Sequence, residues 1–547
     1  MRDIKRARPK TVVAAALGEC VHVAGISNFL RLAETAGWRT VFLGPAVPIE
    51  KLLDVARAEN ADLVGVSYRL TPETGERLLG EFAEHADELR QSGTKFVFGG
   101  TPPVADRARR LGFFEKAFDG SDSPEQVLAY LKGQPAGDLR ESDFPQTLIE
   151  RIHWRSPYPV LRHHFGLPTM QDSVEGLRRI AEAHALDIIS LGTDQDAQEN
   201  FFHPERQDPR RTGAGGVPVR TPEDFQALFA ASRAGNFPLL RAYSGTDDFI
   251  QYAELITETI GNAWCAIPLF WFNQMDGRGP WDLEGSIREH QKVMQWYGKR
   301  HIPVELNEPH HWGMRDAPDV VFIASAFLSA YNARHFGVHD YIAQLMFNSP
   351  PGTRDAMDLA KMLAVMELIE PLAGEDFRIW KQTRIGLLSH PLQPDAARGH
   401  LAAGTYLQMA LKPHIYHIVG HTEADHAATA EDVIEASRIV RRVIDNALGA
   451  PDMTAAPEVQ ARVAHLVGET RFTLDAIRSL AGKGVDAWVD PPSLAKAVAT
   501  GILDAPQLMN NPFGRGHIRT RIVNGGCEVV DESGRVLPEA QRLSQLS

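Results

Sequence analysis

Residues 11–37 read TVVAAALGECVHVAGISNFLRLAETAG. An unbroken apolar run ends in a small-residue loop that carries a histidine, His22, and then passes into an amphipathic stretch. A strand that is apolar at every position, not at alternate ones, is buried on both faces, as in a parallel sheet covered by helices. The pattern recurs as RTVFLG then PIEKLLDVARAENA, DLVGVSY then ETGERLLGEFAEHADELRQSG, KFVFGG then PVADRARRLG, and KAFDG then SPEQVLAYLKG. Five strand-then-helix units predict a doubly wound, Rossmann-like α/β domain over residues 10–133.

The stretch that follows, GQPAGDLRESDFPQ, is rich in Gly, Pro and charge, and residues 134–164 read as a linker. Alternation resumes with the candidate strands LPTMQD, LDIISLGTD, FPLLRAYSG, AWCAIPLFWF, IPVELNEPH, YIAQLMFN, RIGLLSH and HIYHIVGH. Eight such units match a (β/α)8 TIM barrel, placed at 165–450, with polar residues gathered where each apolar run ends. Residues 451–547 read as a third, smaller helical and irregular extension.

The chain has 547 residues and a formal charge of −13, from 57 basic and 70 acidic residues. With no basic run interleaved with aromatics, nucleic acid is not expected as a partner. No segment offers the ~18 uninterrupted apolar residues of a membrane helix, and MRDIKRARPK lacks the apolar stretch of a signal peptide, so a cytoplasmic protein with no membrane partner is expected. Cys20, Cys265 and Cys527 are far apart, so neither a disulfide framework nor a structural zinc site is indicated.

Three features stand at strand ends of the first domain: the loop Cys20-Val-His22-Val-Ala-Gly25, the turn Ser67-Tyr-Arg69-Leu-Thr71, and the pair Gly99-Gly100. A neutral imidazole on such a loop can ligate a metal, although a single histidine builds no metal site alone and could serve as one ligand to a metal already held by a macrocycle. His-x-x-Gly after the first strand, a Ser-led turn after the third and Gly-Gly after the fourth resemble the cobalamin-binding domain of corrinoid mutases and methyltransferases. The segment GWRTVFLGPAVPIEKLLDVARAENADLVGVS is similar to that family almost throughout. The resemblance implies a flavodoxin-like fold in which His22 is the axial ligand to the cobalt of cobalamin. It also implies that Ser67 bonds the nucleotide tail, that Gly99 and Gly100 wall its slot, and that Gly120 and Ser121 lie near the tail's end. Two positions depart from the family. Cys20 stands where its Asp-x-His-x-x-Gly pattern has a carboxylate that tunes the imidazole, and Arg69 stands where a leucine is usual.

The large domain resembles the catalytic subunit of glutamate mutase, with LLRAYSGTDD, VELNEPHHWG, IYHIVGHTEADHAATAEDVIEASR and the tail AVATGILDAPQL carrying the similarity. It implies an adenosylcobalamin-dependent radical isomerase, a small-molecule carboxylic acid substrate and a homodimer. With Gly245-Thr246 aligned, the family's carboxylate-binding arginine falls on Tyr243, and Arg241 lies two residues earlier on the same strand face. Further family arginines have no counterpart in LGTDQDAQENFFHPE, nor does the ammonium-binding acid in ITETIGNAWCAIP, so an acid other than glutamate is expected. Arg241 and Tyr243 are the carboxylate partners. Asn307 and Glu308 orient adenosine hydroxyls or substrate, or Glu308 caps a helix. Glu423 lies near adenosine by the same resemblance, and His421 is a rim hydrogen-bond donor. Phe270, Trp271 and Phe272 wall the pocket or belong to the core.

The histidines His414, His417, His421 and His426, with His310, His311 and His390, raise a metal-dependent barrel as another reading, although LPTMQD lacks the histidine pair that barrel hydrolases carry on their first strand. Two alternatives to a mutase remain open at this stage: a corrinoid-dependent methyltransferase, and a cobalamin-binding sensor or carrier with a degenerate barrel.

Overall fold

A computed structural model describes residues 8–122, 124–133 and 140–546. The chain divides into two units, Met1–Leu139 and Arg140–Ser547.

In the first unit β1 (Thr11–Ala16), β2 (Arg39–Phe42), β3 (Leu63–Tyr68), β4 (Lys95–Gly100) and β5 (Lys116–Phe118) form one parallel sheet in the order β2-β1-β3-β4-β5. Helices α1 (Ala24–Thr35), α2 (Ile49–Ala58), α3 (Pro72–Gln91), α4 (Pro102–Leu111) and α5 (Pro124–Leu131) connect and follow them. Every residue of β1 and β3 is buried, because two separate apolar cores flank the sheet. The order is that of a flavodoxin-like domain, whose ligand crevice opens where the chain reverses direction, between β1 and β3.

The second unit is an eight-stranded parallel sheet in the order β8-β7-β6-β13-β12-β11-β10-β9, a near-closed (β/α)8 barrel. Its strands are β6 (Val160–Phe165), β7 (Ile188–Leu191), β8 (Leu239–Arg241), β9 (Cys265–Ile267), β10 (Val304–Leu306), β11 (Asp340–Phe347), β12 (Arg378–Ile385) and β13 (Ile415–Ile418). The first strand is not LPTMQD, whose last three residues open the helix Met170–Glu182, but the upstream VLRHHF. The expected linker therefore holds β6 and the helix α6 (Leu148–Arg155), while residues 134–139 lie outside the described residues. Thr169 caps the Met170 helix by accepting the Asp172 N–H, which is why the polar TMQD turns into a helix and not a strand.

The lumen is layered. At its lower end Leu148 and Ile152 of α6 pack against Val160, Ile188, Leu239, Ile342 and Ile415, an apolar floor supplied by the early residues of the strands. Residues 451–547 do not build a core of their own. Val463, Leu466 and Leu474 of the helix Pro457–Arg478 join the cluster formed by the barrel's helices, and β14 (Thr520–Val523) pairs antiparallel with β15 (Gly526–Val529). Among the described residues no helix is long and apolar enough to cross a membrane.

The barrel's seam lies between β8 and β9, which are joined by one backbone bond, Ala263 N–H to Leu240 O (2.9 Å). The buried Asn262 side chain completes the seam: Oδ1 accepts the Ala242 N–H (2.9 Å) and Nδ2 donates to Trp264 O (2.9 Å). Asn262→Ala strands both backbone groups, so urea unfolding of the full chain should show its barrel transition destabilised by about 2 kcal/mol, whereas the first unit's transition stays in place.

Candidate functional site

The loop after β1 is held by backbone bonds before it releases His22. Leu17 N–H reaches Ser67 O (3.0 Å), Gly18 N–H reaches Val47 O (3.1 Å), and Ala46 N–H reaches Cys20 O (3.0 Å). Cys20 is fully buried and places its Sγ 3.9 Å from Nδ1 of the exposed His22. The thiol thus sits against Nδ1, at the position that departs from the family pattern, and leaves Nε2 free of it. Glu19 is exposed. Ser67 Oγ donates to His22 O (3.4 Å), fastening the same loop from β3.

Beside these residues a cavity of about 510 Å3 opens at the switch point, lined by His22, Gly25, Ser67, Arg69, Gly99 and Gly120 among others. The two paired glycines differ in role. A Cβ on Gly99 would meet nothing within 4 Å, so a side chain there would project into open space; a Cβ on Gly100 would strike Tyr68 O at 2.6 Å, so this glycine is required by packing. Ser121 is turned toward Asp119, to which its N–H (3.0 Å) and Oγ (2.6 Å) donate. Those bonds, and the Arg109 guanidinium beside them, hold the Asp119 carboxyl far below the usual carboxylate range. Arg69 is exposed and has no ion-pair partner among the described residues. An exposed imidazole with one nitrogen engaged, above an open glycine-walled slot, suits a flat macrocycle with a descending tail.

In the barrel, a charged layer lies above the apolar floor. Arg162 on β6, Arg241 ending β8 and Arg384 on β12 are buried, and one carboxylate, Glu305 on β10, stands among them. Glu305 Oε2 accepts Trp264 Nε1 (2.7 Å) and Arg241 (3.3 Å), while Oε1 accepts Gln344 Nε2 (3.0 Å) and lies 3.9 Å from Arg162. Burial works to raise its pKa, but Arg162 and Arg241 prevail and hold it at about 2. Arg162 also bonds Ser190 Oγ (2.7 Å) and His417 Nδ1 (2.7 Å), and lies 3.4 Å from His164 Nε2. Burial first, and the arginines second, push His164 and His417 well below the ordinary histidine value, so both are neutral. Three guanidiniums outnumber the one carboxylate fully buried among them, and Arg384 is faced by Glu423 at the mouth as well. Among the described residues Nε and Nη1 of Arg241 have no hydrogen-bond partner, and Arg384 makes one bond, from Nε to Ile385 O (3.4 Å).

Arg241 does lie with Tyr243 on one face, its guanidinium 4.4 Å from the ring centroid; the ring in turn stacks on His164. Above His164 a cavity of about 390 Å3 is lined by Gly166, Gly192, Gly420 and Glu423. Glu423 is exposed at this mouth, and its pKa is raised by loss of solvent, with Arg384 opposing. His421 follows β13, nearly buried, its ring nitrogens without hydrogen bonds and Nε2 3.7 Å from Glu435. Arg162 and Arg384 were missed by sequence reading; an arginine inside a strand-length apolar segment, as in VLRHHF, was the available signal.

Glu308 is spent within the fold: its carboxylate accepts Leu269 N–H (2.5 Å), Phe270 N–H (2.9 Å) and Trp312 Nε1 (2.7 Å), tethering the β9 loop. Phe270 and Trp271 belong to the core, Trp271 packing on Trp312 at 5.0 Å. The first barrel strand does carry a histidine pair, His163-His164, contrary to expectation, yet the histidines do not converge. His414 Nδ1 accepts the Lys381 N–H, His426 bridges Asp425 and Asp432, and among the described residues the sole three-ligand group is His203, Asp247 and Asp248.

Burial raises Glu308 from 4.5 to about 7 against its three N–H donors. Below pH 4.5 folded and unfolded chains both hold this proton and the stabilisation is complete; as pH rises through about 7 the folded protein must ionise a buried group, and the stability is lost. Glu308→Gln keeps the neutral state. Its unfolding free energy should follow the native protein's at pH 4.5 and exceed it by about 3 kcal/mol at pH 8 in denaturant titrations.

Comparison with known proteins bears on the first unit. The B12 binding domain family matches residues 10–127. Glutamate mutase sigma subunit 1 of Haloarcula marismortui is 26% identical over 129 residues, which is 23% of this chain and 85% of that protein. A crystal structure of a novel cobalamin-binding protein from Desulfitobacterium hafniense is 22% identical, with a TM-score of 0.20; the match covers 22% of this chain and 57% of that one. A truncated 3-deoxy-D-arabino-heptulosonate 7-phosphate synthase from Thermotoga maritima is 13% identical with a TM-score of 0.32, covering 54% of this chain and 89% of that one. The N-terminal unit of this chain is a B12-binding domain, followed by an eight-stranded parallel barrel.

Proposed function

We propose that the chain is an adenosylcobalamin-dependent carbon-skeleton mutase acting on a small carboxylic acid. The observation that carries this reading is the excess of buried positive charge in the lumen of a barrel fused to a B12-binding domain. A guanidinium kept from water without a counter-charge is costly, and a chain retains such groups where an anion is to be bound.

Adenosylcobalamin, when bound, supplies hydrogen-atom abstraction, a chemistry that requires a site free of water and stray hydrogen donors. This chain's residues supply the rest. His22 would hold the cofactor's metal through Nε2, with its Nδ1 engaged by the Cys20 thiol, a softer partner than a carboxylate. The slot past Gly99 would receive the cofactor's nucleotide tail, with Ser67 and Arg69 in its lining. The floor formed by α6 closes the lumen from below, and the Arg241 and Arg384 guanidiniums hold the substrate carboxylate above it. Tyr243 buttresses Arg241, and the neutral His164 presents a ring to the cavity.

Incubation with adenosylcobalamin tritiated at the 5′ carbon should move label into a carboxylic acid substrate. Retention of methylcobalamin alone, with methyl transfer, overturns the mutase in favour of a methyltransferase.

Three substitutions read the cofactor site without turnover. His22→Ala should preserve the fold, since the ring is exposed, yet remove the histidine-nitrogen splitting from the EPR spectrum of the cobalamin-loaded chain. An unchanged spectrum refutes the ligand. Gly99→Leu should weaken cobalamin binding at least tenfold, with little change in melting temperature because a Cβ there meets nothing. Cys20→Asp should slow cobalamin release.

A further inference from the structure

We propose that Arg69 recognises the phosphodiester of the cobalamin nucleotide tail, and so makes the N-terminal cavity selective for corrinoids that carry that group. This rests on the reading of the cavity as the tail's slot and goes beyond it, because it gives the tail's charged group one side chain as partner.

Among the described residues four titratable side chains line the cavity: His22, Arg69, Asp119 and Asp122. Both acids are engaged. Asp119 pairs with Arg109, which also holds Asp106, and accepts Ser121 Oγ (2.6 Å); Asp122 pairs with Lys116 (2.7 Å). Neither Arg109 nor Lys116 lines the cavity itself. Arg69 differs from these groups, since its exposed guanidinium has no hydrogen bond or ion pair among the described residues. With both acids held by their own cations, neither competes for it. The backbone beneath it is anchored: the preceding residue, Tyr68, is 2% exposed, ends β3 and pairs with Gly100 of β4.

The rest of the lining is unsuited to an ion. Val97 is buried, and Phe29 and Leu32 of α1 pack against the same core. Such a wall suits the uncharged ring of a nucleotide base, whereas a phosphodiester among these side chains would lose its water with no donor to replace it. Against Arg69 the phosphodiester keeps solvent on one side and meets a guanidinium fork, whose geometry matches two phosphate oxygens. The side chains around a corrin ring are uncharged amides, so the phosphodiester is the one peripheral charge of cobalamin. The one lining cation without a partner is its complement.

The test is equilibrium binding to the full chain, followed in the visible spectrum, of three probes that share an upper ligand. These are adenosylcobalamin, adenosylcobinamide phosphate, which keeps the phosphate but lacks the base, and adenosylcobinamide, which lacks both. In Arg69→Gln the affinity for the first two should fall about fivefold, the upper end for an exposed pair, while adenosylcobinamide binds as before. Added salt should weaken adenosylcobalamin binding to the native chain and do so much less in the variant. Arg69→Lys should recover part of the loss, and the melting temperature should hold in every variant because the side chain is exposed. An equal loss for all three probes overturns the proposal in favour of a contact with the corrin, and tighter binding by Arg69→Leu overturns it by showing that the arginine obstructs the slot. If the native chain binds adenosylcobinamide as tightly as adenosylcobalamin, the tail has no slot and the underlying reading fails. If it prefers adenosylcobalamin and Arg69→Gln keeps that preference in full, the slot stands and the role of Arg69 alone falls.

Discussion

Glu305 is the constraint around which the barrel is organised. Its two oxygens face side chains that come from β6, β8 and β11 and from the residue before β9, so a single carboxylate ties together strands on opposite sides of the lumen. Removing it would leave Arg162 and Arg241 facing each other while fully buried. Burying an ion network is rarely a route to stability, because desolvation offsets most of the attraction. Under the proposed function the arrangement is one of pre-organisation, with the buried guanidiniums standing in the lumen before a substrate anion arrives.

The floor beneath this layer matters as much as the charges. Trp264 stacks between Arg162 (5.5 Å) and Arg241 (5.2 Å) while its indole N–H serves Glu305, so one residue is both apolar seal and hydrogen-bond donor. Below it α6 keeps water out of the lower end, which strengthens every electrostatic contact above. The N-terminal unit uses the opposite design. Its cavity is open and lined by glycines, and what it holds rigid is the single loop bearing His22, by backbone bonds to β3 and to the segment after β2.

Legibility followed from where polar residues point. In the first unit β1 and β3 are buried at every residue and all five strands read directly, as does the loop that carries Cys20 and His22. In the barrel seven candidate strands overlap observed ones, but β6 was hidden inside HWRSPYPVLRHHFG, because its inward face carries Arg162 and His164 and so imitates a polar loop. Arg384 was passed over for the same reason, at the end of a strand whose early residues are exposed or half-buried. Glu308 misled in the other direction: a Glu-Pro at a strand end has the pattern of a site residue, yet its oxygens are consumed by backbone N–H groups of a different strand's loop.

By itself the sequence determined the two architectures and their order along the chain, since burial periodicity and turn chemistry are local properties of consecutive residues. Only the tertiary structure decided which charges meet. Arg162, Arg241, Glu305 and Arg384 are spread over more than two hundred residues, and they become one layer because barrel closure turns equivalent positions of different strands toward a common axis. The charge balance of that layer is a property of the closed barrel, absent from any single strand.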